Sequence, residues 1–206
     1  MRRIIKKNNK TGFTLMEMML ALAIILMISG LTVILIVSIK KSFMQVYNQN
    51  DAADYAMLYG RAFEQSFLGK VVNETTEKKY DYTVAKSGGS YKLTCNNASV
   101  IDFKQSKTQD GTKDKWEVKM GYYWDSTSNT VWYRVYMWDN YYNPGQLAYI
   151  YTNNVFLPHF SESIGKITVS ESSVLSSGQT GYTNDTTDNI GDSHFKQAIR
   201  FEPATT

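Results

Sequence analysis

An apolar run of 27 residues, from Phe13 to Ile39, constrains this chain more than any other feature of its sequence. Glu17 is the only formally charged residue in the run. At about 1.5 Å per residue the run is roughly 40 Å long as a helix, which exceeds the roughly 30 Å of a bilayer core. An ionised carboxylate in such a segment is costly unless it is paired. The pattern therefore predicts a membrane-spanning helix whose carboxylate meets a positive charge on another chain.

The positive charges of the chain are concentrated before this run. The first 12 residues contain no acidic residue and five basic ones, namely Arg2, Arg3, Lys6, Lys7 and Lys10. The whole chain has 22 basic and 19 acidic residues, so the part after residue 12 carries a net charge of −2. The excess of basic residues therefore indicates the orientation of the chain in the membrane. No sequence pattern indicates nucleic-acid binding. By the positive-inside rule, the N-terminus stays cytoplasmic and the rest of the chain is exported.

The junction between the basic leader and the apolar run resembles the start of a type IV prepilin. The resemblance covers about the first 45 residues and is carried by Gly12-Phe13-Thr14-Leu15-Met16-Glu17-Met18-Met19. In that family a membrane peptidase cuts after the glycine and methylates the new N-terminal amine, and the glutamate neutralises the amine of a neighbouring subunit. The resemblance implies cleavage between Gly12 and Phe13, N-methylation of Phe13, and a role for Glu17 in filament assembly.

The same resemblance implies the partners of the chain. They are the prepilin peptidase, the pilus assembly machinery, the membrane before assembly, and other pilin subunits that pack through the N-terminal helix. No cofactor is expected. Many major pilins have a proline near the middle of the apolar segment, whereas residues 30–35 read Gly-Leu-Thr-Val-Ile-Leu. The missing proline favours a minor pilin or a pseudopilin over the main subunit, although Gly30 could loosen the helix. Pilus, competence and type II secretion filaments all remain open.

A signal peptide or a simple membrane anchor would also contain an apolar run. A secretory signal peptide would have a shorter apolar core, followed by a cut site with small residues. The run is too long for that, and residues 34–41 contain no Ala-x-Ala pattern. The anchor would be a single span that holds an extracellular binding protein and never polymerises. Replacing Glu17 should separate this anchor from a filament subunit.

The helix is expected to continue beyond the membrane. No proline occurs from Ser42 to Val72, and Tyr55, Tyr59, Phe63 and Phe67 recur every four residues. Ala52, Ala56 and Ala62 lie close to the same side, and the opposite side carries Asn48, Asp51, Arg61 and Gln65. This spacing is typical of an amphipathic helix that packs on a core. The polar tract that follows, residues 73–79, marks a linker.

Beyond Lys79 the pattern changes to the alternation of β-strands. The predicted strands are Tyr80–Lys86, Tyr91–Cys95, Val100–Lys104, Lys115–Trp124, Thr130–Trp138, Leu147–Thr152 and Phe195–Phe201. Several strands after one long helix predict an α+β fold with an antiparallel sheet packed on the helix. The expected organisation is a leader at 1–12, a membrane and assembly helix at 13–41, its amphipathic continuation at 42–72, and an exported pilin-like β domain at 73–206.

Two features of the β domain could carry chemistry: a polar segment and a single cysteine. Residues 171–192 are nearly all small and polar, which predicts a long surface loop. Calcium could bind residues 184–192, but their spacing differs from that of an EF-hand loop, so no metal is assigned. Cys95 is the only cysteine, so no intrachain disulfide can form, although many exported pilin domains have one. We expect Cys95 to be buried in a strand.

No catalytic arrangement is evident, so we expect no enzyme activity. His159 and His194 lack partners at metal-ligand spacing, and there is no nucleophile or phosphate-binding motif. All four tryptophans lie between Trp116 and Trp138, and aromatic residues occupy both alternating faces of residues 130–138. Loops could cover the second face, or aromatic residues could simply suit strands. Alternatively, the rings form a contact surface for other subunits, a surface ligand or sugars.

Overall fold

The computed structural model describes residues 14–72, 79–87, 90–101, 105, 107–108, 111–157, 166–177, 179 and 190–202. One long helix, α1 (Leu15–Phe67), is followed by a short π-helical turn at Leu68–Val72. Eight strands follow: β1 (Tyr80–Ser87), β2 (Ser90–Cys95), β3 (Ala98–Ile101), β4 (Trp116–Asp125), β5 (Thr130–Asp139), β6 (Gln146–Phe156), β7 (Lys166–Val169) and β8 (Ala198–Glu202). The predicted α+β class is confirmed. The chain divides into an N-terminal unit, Met1–Tyr47, and a C-terminal unit, Asn48–Thr206.

In the N-terminal unit, α1 presents apolar side chains in every direction. All of its large apolar side chains from Leu15 to Ile39 are at least 49% exposed. The helix is long and apolar enough to cross a membrane. It continues without a break through Gly30, where an added Cβ would have no neighbour within 4 Å. A helix that is apolar all round has no stable place in water, so lipid or other apolar helices must cover it.

In the C-terminal unit, α1 buries the stripe that its four-residue spacing predicted. Six of the predicted residues are buried, namely Ala52, Ala56, Tyr59, Ala62, Phe63 and Phe67, while Tyr55 is half-buried. Asn48 was predicted on the opposite face, but it is only 7% exposed, so that assignment is wrong. The helix comes so close to β5 and β6 that a Cβ added at Gly60 would lie 2.7 Å from the Tyr151 ring.

The strands form two antiparallel sheets instead of the single sheet that was expected. The first has the order β3-β2-β1-β8-β7, and the second has the order β4-β5-β6. β8 returns to pair with β1 across more than 100 residues, with Tyr80 opposite Phe201. The Phe63 ring lies 5.1–5.2 Å from the rings of Tyr82, Tyr122 and Tyr133, which come from both sheets. One helix side chain therefore joins the two sheets in a common core.

The second face of β5 is covered by the segment that was predicted to be a polar surface loop. Val174 and Leu175 form a small buried cluster with Tyr136 and Trp138. Gly121 permits this close packing, because a Cβ there would lie 2.7 Å from the Cβ of Phe195. Within the described part of residues 171–192, Val174 and Leu175 thus contribute to the core. Aromatic residues occur on both faces of β5. The packing favours coverage by a loop over a contact surface as the reason.

Candidate functional site

The candidate assembly site lies at the first turn of α1, where Glu17 folds back on Thr14. The Thr14 backbone N–H and its hydroxyl both donate to Glu17 Oε2, at 2.8 and 3.0 Å. The Glu17 N–H donates in return to Thr14 Oγ1, at 3.3 Å. These reciprocal bonds form a capping box, which satisfies backbone donors at the helix N-terminus. The positive end of the helix macrodipole also favours the carboxylate at this position.

This geometry leaves one oxygen of the carboxylate for another group. Both bonds from Thr14 end on Oε2, and no donor from residues 14–72 contacts Oε1. The bonds to Thr14 make the carboxylate face the start of the helix. An amine from a second chain could approach Oε1 while the capping box stays closed.

Sequence reasoning found Glu17 but missed Thr14. The signal was present, since a threonine three residues before a glutamate at the start of an apolar run is the pattern of a capping box. Gly12 and Phe13, the predicted cleavage and methylation residues, lie outside the described residues. Their roles therefore stay predictions.

The C-terminal unit shows no competing chemical site among the residues that the structure describes. No group of three or more potential metal ligands occurs within the described ranges. His194 packs against the Tyr123 ring at 5.2 Å, whereas His159 and residues 184–189 of the candidate calcium loop lie outside the described residues. Cys95 is buried in β2 as expected, and burial raises the pKa of its thiol, which disfavours the reactive thiolate.

A buried ion pair connects the chain near its C-terminus to β5. Arg134 Nη1 lies 2.6 Å from Asp192 Oδ1, and neither side chain is more than 4% exposed. The guanidinium also donates to the Ile190 carbonyl at 2.9 Å and to Thr152 Oγ1 at 2.9 Å. Tyr136 donates its hydroxyl to the same Asp192 oxygen at 2.5 Å. Burial, and then the bond to Asp192, raise the pKa of Tyr136, so its hydroxyl stays protonated and remains a donor.

Replacing Asp192 with asparagine should destabilise the C-terminal unit by about 3 kcal/mol, because the buried Arg134 charge loses its counter-charge. Urea unfolding of a truncated chain that begins at Ser42 provides the measurement. Asp81→Asn is the matched control, since Asp81 pairs with Arg200 at 2.5 Å but both side chains are at least 42% exposed. We expect the control to cost less than about 1 kcal/mol. Equal losses in the two variants would show that burial of the Arg134 pair is not what stabilises this segment.

Comparison with known families identifies the N-terminal segment. Residues 7–33 match the prokaryotic N-terminal methylation motif. The match includes Gly12, Phe13 and Glu17 and ends within the apolar part of α1. This motif is typical of type IV pilin-like prepilins and implies processing by a prepilin peptidase. No curated protein and no solved structure matches the chain.

Proposed function

We propose that the chain is a structural subunit, of the minor pilin or pseudopilin kind, in a type IV pilus-like surface filament. The precursor inserts through α1 with a cytoplasmic N-terminus and an exported C-terminal unit. The prepilin peptidase cuts between Gly12 and Phe13 and methylates Phe13, and the mature subunit then enters the filament. The observation that carries this proposal is the capped Glu17 carboxylate at the start of an exposed apolar helical segment, which begins within the match to the methylation motif.

The exposed apolar helix supports assembly. Its apolar side chains must stay out of water both in the membrane and in the filament. Lipid covers the side chains from Leu15 to Ile39 before assembly, and the helices of neighbouring subunits cover them afterwards. Both environments have a low dielectric constant, in which an unpaired carboxylate is costly. The N-terminal amine of a neighbour's Phe13 supplies the compensating charge at Glu17. This pairing couples subunit addition to the neutralisation of two charges that would otherwise be buried alone.

Thr14 prepares the carboxylate for this pairing. Its two bonds to Oε2 hold the Glu17 side chain in one orientation before a neighbour arrives. The incoming amine then meets a preorganised acceptor, and less side-chain entropy is lost on assembly. Thr14 is thus a positioning residue, whereas Glu17 is the residue that contacts the neighbour.

The alternative function is a single-span anchor for an extracellular binding protein. It uses the same membrane helix but requires neither Glu17 nor a free amine at Phe13. The Thr14–Glu17 capping box alone would serve such an anchor as a helix start. Genes for an assembly ATPase or a prepilin peptidase next to the gene for this chain would favour the filament subunit. Catalysis by the C-terminal unit is not part of either function.

Processing provides the first test. We expect the mature chain to begin at Phe13 and to carry one methyl group on its N-terminal amine. Mass spectrometry of the N-terminal peptide from the membrane fraction measures both features, and cells that lack the prepilin peptidase provide the control with an intact Met1 start. A mature chain that starts beyond Ile39 would indicate a signal peptide. A chain that still starts at Met1 in the presence of an active peptidase would contradict the proposal.

A further inference from the structure

The turn between β2 and β3 carries the acceptor pattern for an N-linked glycan. Asn97-Ala98-Ser99 has the form Asn-x-Ser, in which x is any residue except proline. All three residues are exposed. Asn97 directly precedes β3, which is the outermost strand at one edge of the five-stranded sheet. No other strand of that sheet lies beyond β3, so an enzyme can approach the acceptor without separating a pair of strands.

The neighbouring Asn96 is the residue that fixes this turn. Its Nδ2 donates to the Lys79 carbonyl at 2.7 Å, and its Oδ1 accepts the Asp81 N–H at 2.8 Å. Its own N–H donates to the Asp81 carbonyl at 2.9 Å. These three bonds hold the turn against the start of β1. The amide of Asn96 is therefore used within the fold, whereas Asn97 is presented to solvent.

The backbone geometry of the turn does not by itself explain an asparagine at position 97. Asn96 and Asn97 have φ angles of 51° and 64°, so both lie in the left-handed region. A two-residue hairpin turn with two positive φ angles is of type I′, and its preferred sequence is Asn-Gly. Glycine at position 97 would avoid the steric cost of a Cβ in this region. Asparagine there, with Ser99 two residues later, therefore indicates a chemical role beyond the turn.

The same acceptor pattern occurs elsewhere in the sequence. Asn9, Asn73 and Asn184 are each followed by a threonine two residues later. These three positions lie outside the described residues, and Asn9 belongs to the leader that the predicted cleavage removes. Among the residues that the structure describes, Asn97 is the acceptor whose exposure and backbone geometry are known.

We propose that Asn97 is an N-glycosylation site of the exported C-terminal unit. The sugar donor is an oligosaccharide carried on a membrane polyprenyl diphosphate, and a transferase outside the cytoplasmic membrane catalyses the step. Asn97 Nδ2 forms a bond to the anomeric carbon of the first sugar, and the bond from that carbon to the diphosphate oxygen breaks. The bonding electrons leave with the lipid diphosphate, and one amide proton passes to a base of the transferase. This inference rests on the export of the unit in the proposed function.

A glycan at this position would also protect the edge of the sheet. An edge strand presents backbone N–H and C=O groups that can pair with another chain. β3 is only four residues long and begins directly after Asn97. A bulky and solubilising glycan at its start would keep strands of other molecules away from this edge.

Mass spectrometry of the chain purified from the membrane fraction of its own cells tests the site. Trypsin releases residues 93–104 as one peptide, and electron-transfer fragmentation distinguishes Asn97 from Asn96 within it. We expect the peptide to carry the added mass of at least one sugar on Asn97. Asn97→Gly should abolish this added mass while keeping a residue that suits the turn. Ser99→Ala should also abolish it, whereas Ser99→Thr should retain it.

Two controls make the result decisive. Urea unfolding of the truncated chain, made in a host that adds no glycan, should show Asn97→Gly to be at least as stable as the wild type. Labelling of the exposed Lys113 in protoplasts by a membrane-impermeant amine reagent reports export. A chain that is not labelled is not exported, and the proposed function then fails together with this inference. A labelled chain with a bare Asn97, or added mass that survives Asn97→Gly on this peptide, overturns the glycosylation site alone.

Discussion

Replacing Phe67 with alanine is expected to lower the free energy of unfolding of the C-terminal unit by about 3–5 kcal/mol, as for other buried phenylalanines that leave a cavity. Phe67 is fully buried in the last turn of α1. Its ring centroid lies 5.6 Å from that of Phe63 and 4.6 Å from that of Phe201 in β8. The substitution removes the contact through which the end of the helix packs on the five-stranded sheet. Relaxation around the cavity is limited because aromatic rings from separate elements surround it.

Urea unfolding of the truncated chain that begins at Ser42 measures this loss. Leu68→Ala is the matched control, because the neighbouring Leu68 side chain is 41% exposed. We expect the control to cost less than about 1 kcal/mol, within the range of surface substitutions. If Phe67→Ala also costs less than about 1 kcal/mol, the stripe on α1 faces solvent or other subunits instead of the sheets.

The local parts of the fold were predictable from the sequence because they depend on short-range periodicity. The four-residue spacing of Tyr59, Phe63 and Phe67 specified the buried face of α1, and alternation located β4 and β5 to within one residue at each end. The division into two sheets was not predictable, because it depends on the pairing of β1 with β8 near the end of the chain. No local pattern encodes a pairing over that separation. The four-residue strand β7 was missed for a related reason, since it is too short to show clear alternation.

The covered second face of β5 shows how composition alone can mislead. Residues 171–192 have the polar composition of a surface loop, and that composition hid Val174, Leu175 and Asp192, which are all buried. Asp192 is buried because Arg134, 58 residues earlier in the chain, compensates its charge. A buried carboxylate in a polar segment can be recognised only when its partner is known. By contrast, Glu17 was conspicuous from the start, because it is the single charge in an apolar run.

Replacing Glu17 with glutamine is expected to exclude the chain from filaments while leaving it in the membrane. Glutamine keeps the size of the side chain and can close a capping box with Thr14, so the start of the helix should persist. What it loses is the negative charge that the neighbour's Phe13 amine requires. That amine would then be buried without compensation, at a cost of several kcal/mol. Since about 1.4 kcal/mol corresponds to a tenfold change in an equilibrium constant, incorporation should fall by more than about tenfold.

Asp54→Asn is the matched control for this experiment. Asp54 is an exposed carboxylate in the same helix, outside the apolar run, so its loss should not affect the pairing. Membrane insertion should be the same for both variants as for the wild type. Asp54→Asn should also leave the unfolding of the C-terminal unit unchanged in the truncated chain, which begins after residue 17. These controls separate a defect in assembly from a defect in insertion or folding.

The most direct test of the filament function is the ratio of variant to wild type in filaments sheared from cells that express both. Each variant is distinguished from the wild type by the mass of the peptide that contains its substituted residue. We predict that the Glu17→Gln chain is abundant in the membrane fraction and nearly absent from the sheared fraction, whereas Asp54→Asn is present in both. Incorporation of Glu17→Gln in proportion to its abundance in the membrane would contradict the pairing of Glu17 with a neighbour's amine. Absence of even the wild-type chain from the sheared fraction would instead favour the single-span anchor.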